Sequence, residues 1–216
     1  MHQDKVDITN LIELRGRIVG EFSFSHEVYG EGFYNFAIEA PRLSEISDSL
    51  PVTISERLID SMDLKAGTLV DINGQVRSYN NYMQEANKNR LIITVFAREI
   101  SVLSEDNLIN KNPNSVYLNG FICKKPVFRQ TPFGREIADI LLAVNRSYNK
   151  SDYVPCICWG RNAKFASSLE VSDNVKISGR LQSRIYQKKY EDGTVEDKTA
   201  YEISVSKIEF VEKDII

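Results

Sequence analysis

Histidine and cysteine are scarce in these 216 residues. The histidines are His2 and His26, and the cysteines are Cys123, Cys156 and Cys158. An odd cysteine count in a chain of this length excludes a disulfide framework. Cys156 and Cys158 flank one residue, so a strand would point both thiols to one face. A metal would need more ligands than this pair offers, and small buried thiols are the expected reading. No histidine neighbours a nucleophile, no paired carboxylates fall in a recognisable motif, and no phosphate-binding Gly-x-x-x-x-Gly-Lys-Ser/Thr loop occurs. Catalysis, a cofactor and a metal are therefore not expected. No apolar run reaches the roughly 18 residues of a membrane span. Met1 to Lys5 is polar, with no apolar stretch behind a basic cluster. No secretory signal and no membrane contact are expected, and a cytoplasmic location follows.

What is present has the balance of a globular chain, 42% hydrophobic and 26% charged. The length suits one large domain or two of about 100 residues each. The net charge of −3 argues against a polyanion partner, but it averages two unlike halves. Residues 1–108 carry ten basic and seventeen acidic side chains, a net −7. Residues 109–216 carry seventeen and thirteen, a net +4. Such asymmetry points to separate roles, with the second half able to meet a polyanion.

The halves also repeat. Asn10, Leu14 and Gly16 reappear as Asn114, Leu118 and Gly120, an offset of 104. The same offset sets Phe33–Ile38 on Ile137–Leu142, Arg42 on Arg146 and Arg57 on Arg161. One residue later in register, Asp71–Val76 matches Lys176–Leu181. Two copies of one fold are expected: a first domain over 1–103, a linker over 104–113 and a second domain over 114–216. The joining stretch from Ser104 to Pro113 has linker composition.

In the second copy, apolar residues alternate in five short runs around Val116, Ile140, Val154, Ile177 and Ile203. Period two means β-strand, and Asp192-Gly193 marks a turn inside a long hairpin. Ala163, Ala166 and Leu169 are spaced for one short helix over Arg161–Leu169. Five strands with a helix between the third and fourth is the order of an OB-fold barrel. The first copy gives the same order, with a helix over Ser55–Met62 and a polar hairpin tip over Asn80–Asn89. The fold class is all-β, two tandem five-stranded OB barrels, each with one short helix.

After Gly179, Arg180, Gln182, Arg184, Tyr186 and Lys188 share one strand face, and Leu181 and Ile185 share the other. A face of alternating cation, amide and aromatic must meet solvent or a ligand. Aromatics stack on bases, and Arg or Lys neutralises the phosphates between them. Tyr153 and Trp159 share a face opposite the thiols, Tyr148 follows Arg146 at a strand exit, and Phe128-Arg129 sits in the loop before Thr131–Arg135. A strand aromatic alone is usually packing and a charged face usually just solvated. The combination is what marks a binding surface.

These residues carry a resemblance. Asn114, Val116, Leu118 and Gly120, then Pro126, Arg129, Thr131, Pro132 and Gly134, open the pattern. Leu142 to Arg146, Trp159-Gly160-Arg161 with Ala163, and Ile177, Gly179 to Gln182 and Arg184 complete it. In order and spacing this resembles the bacterial single-stranded DNA-binding proteins, across nearly all of 114–211. The resemblance implies sequence-independent binding of single-stranded DNA in replication, recombination or repair. It places stacking on Tyr148, Tyr153, Trp159 and Tyr186. Phe128, Arg129, Arg146, Arg161, Arg180, Arg184, Lys188 and Lys189 complete the expected nucleic-acid contacts. The family assembles four barrels, so two barrels per chain imply a homodimer. Its acidic partner-recruiting tail has no counterpart in Val211–Ile216, and recruitment of partner enzymes is not expected. The first copy has Ser44, Ser49, Ser55 and Asn81 at the stacking positions. It is expected to keep the fold, support assembly and bind DNA weakly or not at all. The rivals are a primosomal-type adaptor working through protein contacts and an RNA-binding OB protein.

Overall fold

The structure, a computed structural model, describes residues 9–42, 44, 46–83, 88–104, 112–190 and 192–212. The first half contributes β1 (Asn10–Val28), β2 (Glu31–Pro41), β3 (Ser47–Ser55), α1 (Glu56–Asp60), β4 (Leu69–Met83) and β5 (Lys88–Val102). The second contributes β6 (Asn114–Ile122), β7 (Val127–Gln130), β8 (Glu136–Arg146), β9 (Lys150–Trp159), α2 (Arg161–Ser167), β10 (Asn174–Lys189) and β11 (Val195–Phe210). Among the described residues no helix is long and apolar enough to cross a membrane.

Each half closes on itself. β1 pairs with β2, β2 with β3, β3 in parallel with β5, β5 with β4, and β4 back to β1. The second circuit runs β6–β8–β9–β11–β10–β6 with the same parallel step between β9 and β11. The alternation read from the sequence is what closes these barrels. Ile12, Leu14 and Ile18 of β1 point inward, as do Ile140, Leu142 and Val144 of β8. Each such side chain contributes roughly 1.5–3 kcal/mol on burial.

The repeated glycines have a steric cause. A Cβ on Gly16 would lie 2.3 Å from the Glu39 carbonyl oxygen, and one on Gly120 would lie 2.5 Å from that of Ala143. Gly74 and Gly179 sit at equivalent bulges, where a Cβ would come within 2.3 Å of the Phe96 and Ser204 carbonyls. The repeated asparagines are clamps. The Asn10 amide donates to the Val76 carbonyl (2.7 Å), and its oxygen accepts the Val76 N–H (2.8 Å). Asn114 does the same to Leu181, at 2.6 and 3.0 Å.

The barrels join through their first strands. β1 and β6 pair antiparallel, with Ile12 opposite Val116, Asn10 opposite Leu118 and Leu14 opposite Asn114. Because Asn10 and Leu14 are the copies of Asn114 and Leu118, this register is that of a pseudo-twofold axis at Ile12 and Val116. Two buried carboxylates lock the pair. Asp48 accepts from the Ser183 N–H (2.7 Å) and hydroxyl (2.9 Å) of the other barrel and from its own Arg42 (2.7 and 2.8 Å). Its copy Asp152 accepts from the Ser78 N–H (2.8 Å) and from Arg77 (2.8 Å), both in the first barrel, and from Arg146 (3.4 Å).

Several expectations need correcting. Ser55 is the N-cap of α1 rather than part of the helix, its hydroxyl accepting the Arg57 N–H at 3.2 Å. α1 ends at Asp60 and α2 at Ser167, each shorter than the spacing suggested, although Leu169 is buried. Phe128 and Arg129 lie on the short strand β7, not in a loop. β4 and β5 run into the hairpin expected at Asn80–Asn89, of which 84–87 lie outside the described residues. So do 105–111 of the expected linker and 213–216 at the chain end.

Candidate nucleic-acid interface

β9 turns Asp152, Val154, Cys156 and Cys158 inward and leaves Tyr153 and Trp159 exposed on the other face. Burial pushes the Cys158 thiol up to about 12, with Asp139 adding to the effect, and pushes Cys156 well up too. Thiols held protonated in a core are packing residues, as the spacing implied. Trp159 is 38% exposed and ends its strand opposite Ile137. Tyr148 is 94% exposed in the turn between β8 and β9, where its φ of 62° is one that side chains other than glycine and asparagine seldom take. The turn presents the ring to solvent instead of folding it onto the barrel.

The face of β10 is more mixed than its alternation suggested. The strand bulges between Ser178 and Gly179, and Gln182 is buried at 7% exposure. Its amide donates to Glu202 on β11 (3.0 Å). Arg184 reaches the same carboxylate at 3.3 and 3.4 Å, so part of its charge is already balanced. Ile185, expected to face inward with Leu181, is 72% exposed because the hairpin has by then left the barrel. The cations and rings of this strand still meet one another. The Arg184 guanidinium lies 5.7 Å over the Tyr186 ring, and Lys188 lies 4.8 Å over Tyr190. Cations and rings so held present base-stacking and phosphate-binding groups side by side.

The expected residues divide among three grooves. Trp159, Arg180 and Arg184 line one of about 390 Å³. Arg184, Tyr186 and Lys188 line a second of about 500 Å³, which also meets Arg90 and Leu91 of the first barrel. Arg146 and Tyr148 open on a third, against the first barrel. Phe128, Arg129, Tyr153, Arg161 and Lys189 lie outside all three. Arg129 forms a bidentate pair with Asp139, at 2.8 and 3.3 Å. Arg146 and Arg180 each give a hydrogen bond to an interbarrel carboxylate, so both are junction residues as well as candidate contacts. Burial and the neighbouring Arg42 lower the Arg180 pKa from its ordinary value, and Asp48 opposes them. Tyr190, Lys198 and Arg135 join this surface without having been marked by the alternation alone. Tyr190 continues the same alternation past Lys188, Lys198 pairs across from Tyr186, and Arg135 shares the groove of Trp159.

Residues 113–211 match the model of the single-strand binding protein family. Single-stranded DNA-binding protein 2 of Chlorobaculum tepidum is 34% identical over 110 residues, covering 46% of this chain and 72% of that protein. Single-stranded DNA-binding protein B of Bacillus subtilis is 37% identical over 81 residues, covering 34% and 72%.

The chain belongs to the single-strand binding protein family.

Members of this family are non-enzymatic DNA-binding proteins. The chain spans only about half, 47%, of the related protein A of Bacillus subtilis. The family match lies in the second barrel, the one with the aromatic face. For the first barrel the relevant likeness is of fold. The wild-type single-stranded DNA binding protein of Thermus aquaticus superposes with a TM-score of 0.76 at 18% identity, over 96% of this chain and 95% of that one. Both barrels are therefore OB-folds, whatever the first has lost in family signature.

Proposed function

We propose that this protein binds single-stranded DNA without sequence preference, in replication, recombination or repair. The observation that carries the reading is the outward face of β9 and β10. There Trp159 stands exposed while Val154, Cys156 and Cys158 of its strand fill the core, and Arg184 and Tyr186 stand exposed where the β10 hairpin leaves the barrel. Bases stack on Trp159, Tyr186 and the exposed Tyr148, and phosphates meet Arg180, Arg184 and Lys188. Phe128, Arg129, Arg146, Tyr153, Arg161 and Lys189 extend the contact at the edges. Stacking does not read base edges, so the binding tolerates any sequence, and released counterions make it sensitive to salt.

Division into a unit over 1–103, a joining segment over 104–113 and a unit over 114–216 fits this reading. The family assigns oligomeric assembly; two chains here supply four barrels, so a homodimer completes the set. Its test is the mass in solution, where a clean monomer would end that part of the reading. The function is tested with Trp159, the single tryptophan. Oligo-dT should quench its fluorescence. Trp159→Ala with Tyr186→Ala should weaken oligo-dT binding about tenfold or more, at unchanged melting temperature. Unchanged affinity with a collapsed melting temperature would make both rings core residues and the reading wrong.

A further inference from the structure

The first barrel lacks rings at the stacking positions of its sibling, yet its outer face is not bare. In the second barrel Trp159 faces Ile137 across β8 and β9. In the first, the equivalent pair is reversed in kind: Ser55 faces Phe33. The ring has moved one strand over. Phe96 of β5 lies 5.8 Å from Phe33, and His26 stacks on Phe33 at 5.0 Å and 9°. Phe24 faces Tyr34 where Phe128 faces Ala138, so the Phe24–Phe128 position is aromatic in both barrels. Tyr79 of β4 is half exposed.

Phe24, Tyr79 and Phe96 line the third groove, of about 1010 Å³, and the second barrel adds Tyr148 to its wall. Arg77, Arg98, Arg146 and Lys150 line it too, and among the described residues no carboxylate does. That exclusion is local, because the half of the chain that builds most of the groove carries a net −7. Beneath it, the single buried carboxylate of Asp152 meets two guanidiniums, those of Arg77 and Arg146. The pair leaves a surplus positive charge, and Arg98 and Lys150 add to it. Arg77 also lies 6.0 Å over the Phe96 ring, fixing an aromatic surface next to a cation. A concave surface with rings, four cations and no facing acid fits a polyanion that carries flat apolar groups.

We infer that this groove is a second single-stranded DNA site, in which bases stack on Phe96, Tyr79 and Tyr148 and phosphates lie against Arg98, Arg146 and Lys150. It deepens the function proposed above and rests on it. Tyr148 belongs to the turn of one barrel and lines the groove of the other, so a strand crossing the junction keeps a stacking surface.

The test uses the full chain and two oligo-dT lengths, about 12 nucleotides, within the span of one barrel, and about 30. Tyr79→Ala combined with Arg98→Glu should weaken the longer strand about tenfold or more and shorten the length of poly-dT each chain occludes. Quenching of Trp159 by the short strand should persist. If affinity for the longer strand and the occluded length both keep their native values, this site is overturned while the proposed function stands. If the native chain neither quenches nor binds with either length, the proposed function itself fails. Should Tyr79→Ala lower the melting temperature, Arg98→Glu alone decides: the salt dependence of long-strand binding must become less steep. An unaltered slope sinks the site.

Discussion

Trp159 and Ser55 end the third strands of their barrels, one as a ring open to solvent, the other as the cap of a helix. The two barrels share circuit, bulges, glycines, asparagine clamps and interbarrel carboxylates. They differ in what the outer face of each strand carries. Fold is thus written in the inward and backbone-facing positions, which tolerate little change. The ligand surface is written in the outward ones, which can be lost at one strand and regained at the next.

That comparison can be broken most forcefully at the locks. Asp48→Ala and Asp152→Ala should each cost about 2–4 kcal/mol in urea unfolding, because each strands two arginines and a serine N–H, and Asp48 a serine hydroxyl as well. The arginines are partly exposed and can rehydrate, which keeps the cost below that of a fully buried pair. Losses of very different size would show that the symmetry is geometric without being energetic. The next effect separates the two strand ends. Trp159→Ala should weaken oligo-dT binding by about 1–3 kcal/mol. Ser55→Ala should leave binding intact and cost about 1 kcal/mol of stability through the lost cap. A binding defect in Ser55→Ala would mean the first barrel uses its third strand after all.

The smallest effect is one of pH. Burial raises the Asp48 pKa, but hydrogen bonds from Arg42 and Ser183 and the charge of Arg42 outweigh it, leaving the carboxyl below its ordinary value. Its stabilising contribution is complete above the unfolded-state value near 4 and disappears as pH falls through the lower folded value. Asp48→Asn should therefore flatten the loss of stability below about pH 4. An acid limb of unchanged steepness would place the acid sensitivity elsewhere.

Much of this was legible in the sequence because it follows from spacing. Period-two runs gave the strands, the constant offset gave the two copies, and Asn10, Gly16, Asn114 and Gly120 marked the sites where backbones meet. What was not legible depends on neighbours distant along the chain. Alternation after Gly179 placed Gln182 outside, since a bulge and a partner such as Glu202 leave no local trace. The bond of Arg180 to Asp48 left no local trace either, because the two stand 132 positions apart. The first barrel read as stripped because position-by-position matching cannot see Phe33, Phe96 and Ser55 as neighbours on three adjacent strands.

The pairing of β1 with β6 has one more consequence. A contact between separate copies would depend on concentration, and each substitution would appear on both sides at once. Tethered in one chain, the two barrels stay together at any dilution. Each is also free to drift without dragging the other along. A tryptophan can persist on one while a serine takes its place on the other, and one polypeptide comes to offer a strand two unlike surfaces.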